Sequence, residues 1–142
     1  MVAKDYARTY RANAVLTASP GQLVLMMFDG ALRAMAQARE AFSRPAEDRK
    51  RLEAINHQLI KAQQIIAQLQ GALNFDAGDG QFAREMQRLY DYYGRRLFEA
   101  NLRKQVEPVV EVEKLLGEVR NAWAEMLRNQ DTAVAPAARS VA

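Results

Sequence analysis

Leu52, Ile55, Leu59, Ala62, Ile66, Leu69 and Leu73 follow one another at alternating intervals of three and four residues. A strand would need an alternation of two; this spacing draws a stripe along one side of a helix. Such a stripe has to be covered, and at this period the cover is another helix crossing at a shallow angle. Ile60 and Ile65 widen the face. The chain is therefore committed to helix-on-helix packing, with a helix expected over about 46–73.

Three further segments repeat the pattern. Ser19 is placed to cap a helix that begins at Pro20, where the missing N–H costs nothing, and Gln22 completes a capping box. That helix runs over about 20–42. Leu23, Met27, Ala31, Ala34 and Ala38 form one apolar row, and Leu25, Phe28, Leu32, Met35 and Phe42 form another. Being apolar around most of its circumference, it is expected to be the central helix. Over 81–102 the inner row reads Phe82, Met86, Leu89, Tyr93, Leu97 and Ala100, flanked by Tyr90, Tyr92 and Phe98. Over 107–128, opened by Pro108, it reads Val109, Val112, Leu116, Val119, Trp123 and Met126.

The connections are short. Ser43-Arg-Pro-Ala-Glu-Asp joins the first two helices, and Asn74-Phe-Asp-Ala-Gly-Asp-Gly is a loop by its turn chemistry, with Asp79 a candidate cap for the third. Four amphipathic helices on short loops define an all-α, antiparallel up-down four-helix bundle. Three regions are expected: a cap or lead segment over 1–18, the bundle over 19–128, and a disordered tail over 129–142, where periodicity is lost. The lead is too short to form a stable helix alone.

A length of 142 residues suits one core. The absence of cysteine excludes disulfides and thiol catalysis. No apolar run reaches the length of a membrane span, and Met1-Val-Ala-Lys-Asp-Tyr-Ala-Arg lacks a signal-peptide core, so a cytoplasmic protein is expected. The net charge of +3 is mild. The basic clusters Arg49-Lys50-Arg51, Arg95-Arg96 and Arg103-Lys104 have acidic neighbours, which argues against nucleic acid as a partner.

Catalytic and metal chemistry find no support in the spacing. His57 is the only histidine, with Glu53 one turn before it, and the paired Glu-x-x-His motifs of a di-metal bundle are missing. Gly78-Asp-Gly80 lacks the pattern of a phosphate loop. Asp91 and Glu99 lie too far apart along one helix to cooperate. No catalytic residue, metal or cofactor is expected. What remains is surface for binding: Tyr90, Tyr92, Tyr93 and Phe98 offer large contact area, and Met26, Met27, Met35 and Met86 add adaptable packing.

Tyr10-Arg-Ala-Asn-Ala-Val-Leu-Thr-Ala-Ser-Pro followed by Leu23-Val-Leu-Met-Met-Phe-Asp-Gly-Ala-Leu resembles the N-terminal signature of the FliS family of flagellin-specific export chaperones. Lys61-Ala-Gln-Gln-Ile-Ile-Ala-Gln-Leu-Gln-Gly-Ala-Leu-Asn, Leu89-Tyr-Asp-Tyr-Tyr-Gly-Arg-Arg-Leu-Phe-Glu-Ala-Asn and Val119-Arg-Asn-Ala-Trp-Ala-Glu resemble later pieces of it, in order. Two positions depart from the usual pattern. Phe28 stands where Tyr is frequent, and Tyr93-Gly94 stands where a Met followed by another residue is common.

The resemblance implies a cytoplasmic bundle that binds the disordered C-terminal segment of flagellin, blocks premature polymerisation and assists delivery to the export gate, with contacts to other flagellar regulators. It implies no catalysis and no cofactor. Tyr6, Tyr10, Asn13 and Val15 are then candidates for a movable cover. Ile55, Leu59, Ile66, Leu69, Leu89, Tyr90, Tyr93 and Leu97 are candidates for the groove, the protein being a monomer or a weak homodimer. The competing readings are a self-associating helical-bundle adaptor and a basic nucleic-acid adaptor.

Overall fold

The structure is a computed structural model that describes the backbone of residues 19–141 and the side-chain environments of residues 19–130. Its helices are α1 (Pro20–Phe42), α2 (Arg51–Gly71), α3 (Gln81–Arg103) and α4 (Glu107–Val141). Ser19 caps α1 as its chemistry requires: its Oγ accepts from the Gln22 amide at 3.2 Å. Asp79 Oδ1 accepts from the Gln81 amide at 2.9 Å at the start of α3, although the capping backbone position itself is Gly80.

Contacts between helices show the direction of each pairing. Arg51 Nη2 reaches the Phe42 carbonyl, joining the end of α1 to the start of α2. Gln70 pairs with Asp91 and Asn56 with Lys104, so α2 and α3 run oppositely. Arg96 pairs with Glu111 across α3 and α4. Arg39 pairs with Glu113, and the Trp123 indole donates to the Gly21 carbonyl, so α4 runs back along α1. The four helices close into an antiparallel up-down ring, each packed on two neighbours.

Ile55, Leu59, Ala62, Ile66 and Leu69 of α2 fill the core, as their spacing demands. They meet Phe28, Ala31, Ala34, Met35 and Ala38 of α1, Leu97 and Ala100 of α3, and Val109, Val112 and Leu116 of α4. The α1–α2 pairing is the most extensive in the bundle. The alanines on α1 carry nothing beyond Cβ and so let the backbones approach closely.

Four expectations change. First, α2 starts at Arg51, not near 46. Asp48 forms a turn instead, its Oδ1 accepting from the Lys50 amide, and its own amide donates to the Pro45 carbonyl. Second, α1 does not run through the middle of the bundle but forms one stave of the ring, sharing the most extensive pairing with α2. Third, the buried row of α3 is Ala83, Met86, Tyr90, Tyr93, Leu97 and Ala100, while Phe82 and Leu89 are exposed. That row keeps the strict three–four alternation, which the row through Phe82 and Leu89 breaks. Fourth, α4 extends to Val141 rather than ending at 128. Loss of periodicity marks the end of a packing seam and does not by itself end a helix. Helix α3 passes through Gly94 without a break.

Gly80 sits at φ 76°, and a Cβ there would lie 2.7 Å from the Phe75 carbonyl oxygen. Gly80→Ala is therefore expected to destabilise the fold by at least about 1–2 kcal/mol, combining left-handed strain with a backbone clash. Gly71→Ala, which meets nothing within 4 Å, should leave the thermal midpoint unchanged or raised. Thermal denaturation followed by circular dichroism compares the two.

Candidate functional site

The close packing of α1 ends where its alanines end. From Leu23 to Met27 every residue is apolar, and every one is only half-buried. At this end of the bundle an apolar cleft of about 490 Å³ opens among all four helices. Val24 and Phe28 form its α1 wall, Leu69 and, just past the end of α2, Leu73 its second wall, Met86 and Tyr90 its α3 wall, and Val119 and Trp123 its α4 wall. Ala72, Asn74 and Ala77 of the α2–α3 loop lie across it, and Phe82 and Met126 stand at its lip. Phe82 is 60 % exposed, a large cost in water for a phenylalanine with a core beside it.

The walls are held rigidly. Phe28 and Trp123 meet edge to face with centroids 6.3 Å apart. The indole is further pinned by its 2.9 Å hydrogen bond to Gly21. Tyr93 is flanked edge to face by Tyr90 and Tyr92, at 6.5 and 6.3 Å. The Tyr92 hydroxyl donates to Glu111 Oε2 at 2.9 Å, and Arg96 holds the other oxygen at 2.8 Å. Those bonds, Arg96 first, keep the Glu111 carboxyl below its ordinary range. A Tyr–Glu–Arg clasp thus joins α3 to α4 outside the cleft.

Two more recesses lie between neighbouring helices, the first largely apolar and the second rimmed by Gln63, Gln70, Asp91, Arg95 and Glu99. Leu23, Met26, Met27, Gly30 and Ile65 line one of about 630 Å³ between α1 and α2. The other, about 570 Å³, lies between α2 and α3 over Ile66, Ala67, Gly94 and Phe98, and shares Tyr90 with the end cleft.

Of the groove residues expected from sequence, Ile55, Leu59, Tyr93 and Leu97 are fully buried and hold the bundle shut. Ile66, Leu69 and Tyr90 are also buried, but each contributes to the wall of a recess. Leu89 alone is exposed, on the α4 side of α3. A helix's most regular stripe is what its neighbours cover, so it marks core rather than groove. Tyr6, Tyr10, Asn13 and Val15 lie outside the described residues.

The wall residues missed by sequence are Val24, Phe28, Val119 and Trp123, with Phe82 and Met126 at the lip, while Met86, expected to add adaptable contact surface, lines the wall. One signal points to the lip. Phe82 sits one step away from Ala83, the buried residue that continues the α3 seam, whereas Met126 keeps the register of its own seam and carries no such signal. A large apolar side chain one step out of register is turned toward water.

Among the described residues no group of His, Cys, Asp and Glu could hold a metal ion, and no helix is long and apolar enough to cross a membrane. An apolar cleft with ring-lined walls at the end of a helical bundle can receive the apolar side chains of a polypeptide. This is the architecture of a helical-bundle chaperone.

Comparison with known proteins defines the class more closely. A family profile described as "Flagellar protein FliS" matches residues 2–130. The chain is 39 % identical over 124 residues to the flagellar secretion chaperone FliS of Salmonella typhimurium, covering 87 % of each protein. It is 35 % identical over 121 residues to that of Bacillus subtilis, covering 85 % of each. It is 36 % identical over 121 residues to the flagellar secretion chaperone FliSB of Pseudomonas aeruginosa, covering 84 % of this chain and 90 % of the other. The chain belongs to the FliS family.

Burial, and then the neighbouring Tyr93, push the Tyr90 phenol up to about 12. Its folded value lies above the unfolded value of ~10, so its contribution to stability is complete below pH ~10 and is lost as pH rises through about 12. Absorbance of ionised phenol should show Tyr90 withheld until about pH 12, with Tyr92 and Tyr93 also titrating above the ordinary range. The thermal midpoint should fall across the same interval, and Tyr90→Phe should flatten that fall.

Proposed function

We propose that this chain is a cytoplasmic, flagellin-specific export chaperone that holds the disordered C-terminal segment of flagellin, prevents its premature polymerisation and presents it to the flagellar export apparatus. The observation that carries this reading is the apolar end cleft with Phe82 at its lip. An amphipathic segment can lay its apolar face there by the helix-in-groove mode. A disordered client loses conformational freedom on binding, so a wide apolar contact remains releasable. The protein acts as a monomer or a weak homodimer and uses no cofactor. Its partners beyond flagellin are the export gate and other flagellar regulators.

Residues 1–18 serve as a movable cover. They join the bundle at Ser19, at the same end as the cleft. Fully extended, eighteen residues reach up to roughly 60 Å, ample for any part of that end. Tyr6, Tyr10 and Val15 supply apolar contact, with Asn13 among them. A cover that competes with the client lowers apparent affinity by the fraction of time it is closed.

Titration with the last ~40 residues of the host flagellin, a length able to follow a bundle of this size, is expected to give a saturable change in the emission of Trp123, the only tryptophan. No change and no co-elution at micromolar concentration would refute the reading. Phe82→Glu replaces an exposed side chain, so the fold should survive while client affinity drops about tenfold or more, the scale of a desolvated anchor lost. Deleting residues 2–14 should change client affinity or association rate. If stopped-flow fluorescence finds both unaltered, the segment is no cover.

A further inference from the structure

Lys104 ends α3 at φ 53°, the one left-handed position among the described residues not occupied by glycine. Such a position ordinarily goes to Gly or Asn, because a longer side chain strains the backbone. Here the strain brings the ammonium back onto the bundle. Nζ donates to Asn56 Oδ1 at 2.6 Å, to the Asn101 carbonyl at 2.7 Å and to Asn101 Oδ1. All three acceptors are neutral, and no carboxylate pairs with Lys104 among the described residues. A role in capping α3 accounts for the bond to the Asn101 carbonyl. It does not account for the two amide oxygens that fix the charge in place.

The surroundings are apolar. Phe98 and Leu102 are 57 % and 70 % exposed, and with Asn56, Asn101 and Lys104 they line a notch of about 320 Å³. Phe98 also belongs to the α2–α3 recess, whose far wall is Tyr90 of the end cleft. A track with an apolar floor of Ile66, Ala67, Gly94 and Phe98, rimmed by Gln63, Gln70, Asp91, Arg95 and Glu99, thus runs from Tyr90 of the cleft to Phe98 and stops at the fixed Lys104 ammonium. A side chain added at Gly94 would meet nothing within 4 Å, so the surface is open there to an approaching backbone. From Met86 to Lys104 the track follows α3 for roughly 27 Å, which fewer than ten extended residues can span.

We propose that this notch receives the free C-terminal carboxylate of the bound client, with the client's last apolar side chains on Phe98 and Leu102. The proposal rests on the chaperone reading and names the docking point of the client's end. A carboxylate that replaces one neutral amide oxygen on Nζ forms a charge-assisted bond roughly twice as strong. A chain terminus fits because the track ends at an ammonium held by neutral oxygens alone.

The test uses the flagellin C-terminal segment as free acid and as C-terminal amide, titrated against the full-length protein and Lys104→Asn. Asparagine tolerates the left-handed backbone, so this variant should fold at least as well, as its thermal midpoint will show. The wild-type protein should bind the amide about fivefold more weakly than the acid, the size of a partly exposed ion pair. The difference should shrink with added salt and vanish in Lys104→Asn. Equal binding of acid and amide by wild type overturns this proposal and leaves the chaperone reading standing; failure of both peptides to bind overturns both. If Lys104→Asn weakens acid and amide alike, the ammonium reads an acidic side chain within the segment and the terminus assignment falls.

Discussion

The packing of alanine against neighbouring helices governs this molecule. Ala31, Ala34, Ala38 and Ala41 are all buried along α1, so half of that helix meets its neighbours with little side chain in between. Close approach there maximises contact and excludes voids. The same sequence of side chains cannot continue toward the N-terminus, where Phe28, Met27 and Leu23 are bulky. The bundle is tight at one end and open at the other. The apolar cleft is a consequence of that gradient along a single helix.

Polar contacts around the perimeter add register more than stability. Asp29 with Arg120, Arg39 with Glu113 and Arg96 with Glu111 all sit at partly exposed positions, where ion pairs contribute little net free energy. Their value is positional. With the Trp123–Gly21 hydrogen bond they hold α4 at one height against α1, which places Trp123, Val119 and Met126 around the opening. A shift of one helical turn along either helix would break each of these contacts and close or misplace the cleft.

The apolar cleft is surface that no other described element covers. The rings that line the cleft keep their positions through contacts with one another, so little order has to be gained on binding. Chemistry at the site is confined to contact, desolvation and charge, in keeping with the family to which the chain belongs.

Much of this was legible in the residues alone. The four stripes, the Ser19–Pro20 start and the short connections defined an antiparallel helical bundle, since each is a local property of backbone and side-chain period. The family followed from motifs spread through the chain. Which apolar residues are core and which are site was not legible. Ile55, Leu59, Tyr93 and Leu97 read as groove and proved interior, whereas Phe82 read as interior and stands at the lip. Period locates a side chain about its own helix axis but says nothing of how near the next helix comes. That distance is set jointly by side chains on separate helices, alanine on one and leucine or tyrosine on another. Only the assembled bundle decides it, and with it the position of the cleft.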